Sequence, residues 1–166
     1  MDDISSTRSQ SREAMHIVLA AVAPTLQQLC RDPWTLIGSA AAWLAGADVT
    51  VADLDVLCSV RDAEQLMAHW QAQRDSSYRP AGPEPGGVER FRSRFARFRF
   101  PGMPVEVMGG LELFGADGWQ PVQVGAINSV TFAGIAVPIP PVAEQIRLFE
   151  SFARPKDIQR AALLRA

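Results

Sequence analysis

Asp53 and Asp55 are separated by a single leucine, within the stretch "WTLIGSAAAWLAGADVTVADLDVLCSV" that covers 34–60. Two residues apart on an extended chain, their carboxylates share one face, while Leu54 and Val56 take the other. Like charges that close repel, so a folded chain tolerates them at a solvated strand end or around a cation. Oxygen donors of this kind suit Mg²⁺ or Mn²⁺, which keep several waters and draw further ligands from substrate phosphates. Thirteen residues, 40–52, lie between Asp53 and an earlier Gly38-Ser39 pair. Glycine lets the backbone turn tightly and a phosphate come close, and a helix start presents free N–H groups. Taken alone, Ser39 reads first as the N-cap of the following helix, and the two roles are compatible. Glu106 is the third acid, in "PVEVM", where Val105 and Val107 face inward and Glu106 faces out. It is a surface residue unless its strand lies beside that of Asp53. In that arrangement three carboxylates cluster, and such a cluster can hold two divalent ions that activate a hydroxyl and steady a leaving pyrophosphate.

These residues need elements to carry them. Apolar residues at Met15, Val18, Leu19, Val22, Leu26 and Leu29 recur at helical spacing and predict a helix over 10–30, kinked or divided by Pro24. A short strand over 34–37 turns through Gly38-Ser39 into a helix that Gly46 stops. The alternation in "ADLDVLC" predicts a strand over 52–58, and an amphipathic helix follows over 61–73, with Leu66, Met67 and Trp70 inward and Ser59 or Asp62 at its start. In "ERFRSRFARFRF" phenylalanines alternate with arginines, and with "PGMP" and "VEVMGG" this predicts a hairpin over 94–109. Arg97 and Arg99 share a face opposite Phe98 and Phe100. That face is either solvated or a contact for triphosphate or RNA. A second hairpin is expected around Gly134, then two short helices over 141–152 and 155–164, each opened by a proline. The order predicts a mixed α+β domain, a β-sheet flanked by helices with two more helices at the C-terminus.

The 166 residues suit a single domain, 1–166, with a helical segment over 1–31 and a flexible Pro/Gly-rich loop over 79–90. A net charge of −2 argues against binding nucleic acid through charge alone. No apolar run reaches the roughly 18 residues of a membrane span, and the polar, acidic beginning is the wrong order for a secretory signal, so the cytoplasm is the expected compartment. Cys30 and Cys58 have no metal-ligand spacing and read as buried free thiols. His16 and His69 lack partners at ligand spacing and read as structural, and the four tryptophans as mostly core.

The ordered set "LIGSAAAWLAGADVTVADLDVLCS" resembles the signature of the nucleotidyltransferase superfamily: a hydrophobic residue, Gly, Gly or Ser, a gap of about a dozen residues, then acid-hydrophobic-acid-hydrophobic. The later "VEV" resembles the third acidic position. The tail "VPIPPVAEQIRLFESFARPKDIQRAALL" is similar to the end of small bacterial members. The resemblance runs from Trp34 to the C-terminus, with 78–92 unmatched. It implies a polymerase-beta-like fold and transfer of a nucleoside monophosphate from an NTP to an acceptor hydroxyl with Mg²⁺ or Mn²⁺. Asp53 and Asp55 correspond to the metal pair, Glu106 to the third acid as ligand or base, and Gly38 with Ser39 to the phosphate-side turn. Arg154, Lys156 and Asp157 correspond to a basic-acidic element near the site. Lys156 either contacts a nucleotide phosphate or makes a helix-start salt bridge to Asp157. The glutamate at 106 departs from the more common aspartate, which alters metal geometry or weakens activity. The acceptor implied is a small molecule, a protein or tRNA, and the partners implied include a second copy or an antitoxin-like protein. A nucleotide-binding or interaction module without activity is the rival reading.

Overall fold

A computed structural model describes residues 3–78 and 90–166, with side chains from residue 8 onward. The loop expected over 79–90 falls almost wholly outside these residues. The chain runs α1 (Asp3–Leu29), β1 (Thr35–Ile37), α2 (Gly38–Leu44), β2 (Leu54–Cys58), α3 (Val60–His69), then a 3-10 turn at Gln71–Gln73. It continues with β3 (Phe91–Phe98), β4 (Val105–Gly115), β5 (Gly118–Pro121), β6 (Asn128–Phe132), β7 (Ile135–Ile139), α4 (Val142–Phe152) and α5 (Pro155–Arg165). The main sheet has the order β1-β2-β4-β3, with β5 paired to β4, and β6-β7 form a separate hairpin. β2 and β4 are parallel and the other pairs antiparallel. The α+β class and both expected hairpins are present.

Alternation in β2 and β4 gives the sheet two unlike faces. Leu54, Val56, Val105 and Val107 are fully buried in one cluster with Met15, Val18, Leu19, Val22 and Leu26 of α1. The opposite face carries the acids and then a smaller apolar cluster of Ile37, Leu57, Leu111, Leu148 and Phe152, which seats α4. α3 starts where Ser59 accepts a hydrogen bond from the Asp62 backbone N–H. The buried Asp62 carboxylate in turn accepts the N–H groups of Arg31 and Asp32 at 2.9–3.1 Å. Burial pushes the Asp62 pKa up, but those two N–H bonds with Ser59 and Arg61 outweigh it, and the net shift is downward.

Several expectations need correcting. α1 is one helix through Pro24 and begins earlier than the spacing indicated. An interior proline costs about 3 kcal/mol. The five fully buried side chains of α1 each contribute about 1.5–3 kcal/mol, so packing dominates propensity. β5 has no alternating pattern to announce it and was not expected. Trp43 and Trp70 are core, whereas Trp119 is half-buried under the Arg92 guanidinium, 4.2 Å from the ring. Among the described residues no helix is long and apolar enough to cross a membrane.

Candidate active site

The sheet register places the site. Ile37 of β1 is opposite Asp55 of β2, Asp55 is opposite Glu106 of β4, and Glu106 is opposite Arg97 of β3. Asp53 immediately precedes β2 and leans to the same side as Asp55. Asp53, Asp55 and Glu106 each offer a carboxylate oxygen, and these oxygens lie within 4.8 Å of one another. The three acids named from the sequence are therefore brought together.

Gly38 closes one side of the cluster. Its φ of +72° is a left-handed conformation, and an added Cβ would sit 2.5 Å from Asp55 Oδ2. Only glycine meets both demands. Ser39, expected as an N-cap, is instead buried inside the first turn of α2. The cap position is Ile37, and no side chain caps the helix. The reason is that the turn is made at Gly38 itself, so the helix begins two residues earlier than a serine cap requires. Beside Gly38 lies a cavity of about 10 Å³ between β1, α2 and α4, lined in part by Gln145 and Phe149. Gln145 Nε2 donates to Pro140 O at 2.9 Å and Ala41 O at 3.3 Å, tying α4 to this corner.

The electrostatics of the cluster are uneven. Burial first, then the charges of Asp53 and Glu106 and hydrogen bonds to both, raise the Asp55 pKa well above the ordinary aspartate value. Asp55 thus holds a proton more firmly than a free aspartate does. Its Oδ1 is buried without a hydrogen-bond partner. Arg97, expected on a solvated or substrate-facing strand face, is turned into the cluster. Its Nη1 donates to Glu106 Oε2 at 2.7 Å and reaches Asp53 Oδ2 at 3.4 Å. The side chains of Arg97, Asp53 and Glu106 are 20%, 25% and 15% exposed. The Tyr78 ring covers the guanidinium at 4.8 Å, and the Tyr78 phenol hydrogen-bonds to Glu106. Sequence reasoning missed the roles of Arg97 and Tyr78. Closing the "PGMP" hairpin in register, with Phe98 opposite Val105, would have revealed that of Arg97.

The donor set fits a divalent cation. Three carboxylates converge, a buried carboxylate oxygen lacks a partner, and Arg97 offsets only one of three potential negative charges. Lys156 is exposed on α5. It does not make the expected alternative salt bridge, because Arg154 holds the fully buried Asp157 through Nε at 2.6 Å, Nη2 at 3.1 Å and its backbone N–H at 3.2 Å. Arg99 pairs with Asp75 at the surface rather than joining the cluster. Cys30 and Cys58 are free thiols as expected, but only Cys58 is buried, Cys30 being partly exposed.

Solved structures share this architecture. A provisionally assigned nucleotidyltransferase of Thermotoga maritima superposes with a TM-score of 0.69 at 22% identity, over 89% of this chain and 88% of that one. The fold is that of the nucleotidyltransferases. The lincosamide antibiotic adenylyltransferase LnuA, with lincomycin bound, matches at a TM-score of 0.56 and 8% identity, over 89% of this chain and 94% of that one. The antibiotic-resistance factor ANT(2'')-Ia matches at 0.51 and 12%, over 94% and 83%. No protein-family model and no curated protein matches the sequence.

Proposed function

We propose that this nucleotidyltransferase-fold chain transfers a nucleoside monophosphate from an NTP to an acceptor hydroxyl. The observation that carries the reading is the convergence of Asp53, Asp55 and Glu106 on one sheet face against Gly38. Asp53, Asp55 and Glu106 hold Mg²⁺ or Mn²⁺, which supplies positive charge for the triphosphate and the leaving pyrophosphate. Gly38 and Ser39 present backbone N–H groups to the β- and γ-phosphates, and Lys156 contacts a phosphate from α5. Glu106, oriented by Arg97, completes the set as ligand or as the base that takes the acceptor proton. The acceptor oxygen then bonds to the α-phosphorus as pyrophosphate departs.

A groove of about 420 Å³ passes Leu57, two residues beyond Asp55 on β2, and is lined by Leu111, Val122, Val124 and Ile127. A space of that size suits a small-molecule acceptor, the class bound by LnuA among the structures of this fold. Protein and tRNA acceptors remain the other two classes. The Arg97 contact on Glu106 favours a second reading, a nucleotide-binding module without turnover, since a bound cation opposes proton uptake by that carboxylate.

Calorimetry with NTP and Mg²⁺ tests the assignment. Metal-dependent binding is expected for the wild type and is expected to vanish in Asp53→Asn/Asp55→Asn; binding that survives the double substitution refutes the ligand set. Pyrophosphate release in the presence of candidate acceptors separates the enzyme from the silent module.

A further inference from the structure

Three carboxylates with oxygens within 4.8 Å of one another repel strongly when ionised, yet the sheet register brings them together. Arg97 explains how. Its Nη1 lies between Glu106 Oε2, at 2.7 Å, and Asp53 Oδ2, at 3.4 Å, and no bond connects it to Asp55. The guanidinium is fixed from behind by the Tyr78 ring at 4.8 Å, and that ring packs on Phe95 with centroids 5.8 Å apart. The cross-strand pairing of Arg97 with Glu106 sets the position of the charge from the backbone.

We propose that Arg97 is a resident counter-cation of the carboxylate cluster, which a divalent metal must shift off Asp53 in order to bind. This rests on the metal-site reading given above. The unequal distances name the contact that yields: the longer one to Asp53 opens, while the shorter one to Glu106 and the Tyr78 stack persist. Arg97 therefore lowers metal affinity and at the same time stabilises the metal-free site. Removing it has effects of opposite sign, tighter metal binding and a less stable metal-free protein. A purely structural arginine would weaken both.

The test uses the full chain stripped of metal, with Mn²⁺ titrated and free Mn²⁺ read by electron paramagnetic resonance. Arg97→Met is expected to bind Mn²⁺ about tenfold tighter or more, because a guanidinium and a doubly charged ion a few ångströms apart repel by at least that factor even at the dielectric of water. It is also expected to melt below wild type without metal, with the gap closing at saturating Mn²⁺. Arg97→Lys keeps the charge and is expected to stay near wild-type affinity. Wild-type or weaker Mn²⁺ affinity in Arg97→Met overturns the proposal. Should Arg97→Met be unfolded without metal, recovery of its far-ultraviolet circular dichroism on adding Mn²⁺ supports the proposal, and no recovery overturns it. If neither wild type nor Arg97→Met binds Mn²⁺, the metal-site reading fails as well. If wild type binds, Asp53→Asn/Asp55→Asn does not, and Arg97→Met matches wild type, only the role of Arg97 falls.

Discussion

Replacing Gly38 with alanine imposes two separable costs. The first is conformational: a φ of +72° places a Cβ-bearing residue in the left-handed region, at about 1–2 kcal/mol. The second is steric, because the new methyl meets Asp55 Oδ2 at 2.5 Å and must push the carboxylate away. Overpacking of this kind costs about 1–3 kcal/mol. Gly134, in the turn between β6 and β7, separates the two. Its φ is +80°, and nothing lies within 4 Å of an added Cβ. Gly134→Ala should therefore show the first cost alone, while the reduced freedom of the unfolded chain is common to both variants. In a chain of this length each kcal/mol lowers Tm by about 2–4 °C, so Gly38→Ala should melt several degrees below Gly134→Ala. Thermal and urea denaturation give the difference. Mn²⁺ titration should show weakened binding only in Gly38→Ala, and adding Asp55→Ala to it should restore the steric part of the lost stability. Equal losses in the two single variants, with unchanged metal binding, would refute the close approach of Gly38 to Asp55 as the reason for a glycine there.

Two further outcomes follow from the charges. Asp55→Asn should stabilise the metal-free protein by about 0.5–2 kcal/mol, the usual gain from a single stabilising substitution. The sign follows from proton uptake. Because the folded pKa of Asp55 lies above its unfolded value, the folded state binds more protons across that interval, and wild-type stability falls as pH rises through it. The advantage of asparagine should accordingly grow with pH over the same interval, as read by urea denaturation in EDTA; a pH-independent difference contradicts it. Arg154→Ala leaves the buried Asp157 carboxylate without its bidentate partner. The loss should fall near the low end of about 3–5 kcal/mol, since Arg154 is itself 31% exposed. Lys156→Ala should stay within about 0.5 kcal/mol of wild type. Comparable losses in the two would show that Asp157 is held otherwise.

Much of this site could be read from local pattern. Period-two alternation assigns Asp53 and Asp55 to one face and Leu54 and Val56 to the other, and the same rule orients Glu106 between two buried valines. What alternation cannot supply is which strands become neighbours and in what register. The meeting of Asp55 with Glu106 depends on a parallel pairing of β2 with β4, and Arg97 enters only through the register of the β3-β4 hairpin. That is why the sequence offers for Arg97 only a solvated or a substrate-facing strand face, and not a partner among the acids. The cap at Ser39 failed for a different reason: serine is a good cap by chemistry, but a glycine with positive φ moved the helix start ahead of it. Pro24 was overweighted because its local cost is visible in sequence, whereas the packing that offsets it is not.

The pairing of Arg97 with Glu106 bears on how the sheet assembles. The two residues are nine apart and meet inside one hairpin, whereas Asp55 and Glu106 join segments of chain far apart in sequence. Local closure is fast and distant parallel pairing slow. A hairpin that closes before it pairs with β2 has its acid already matched to a cation, and the edge it presents to Asp53 and Asp55 is a dipole rather than a bare negative charge. The repulsion that Glu106 would offer to Asp53 and Asp55 on docking is then smaller.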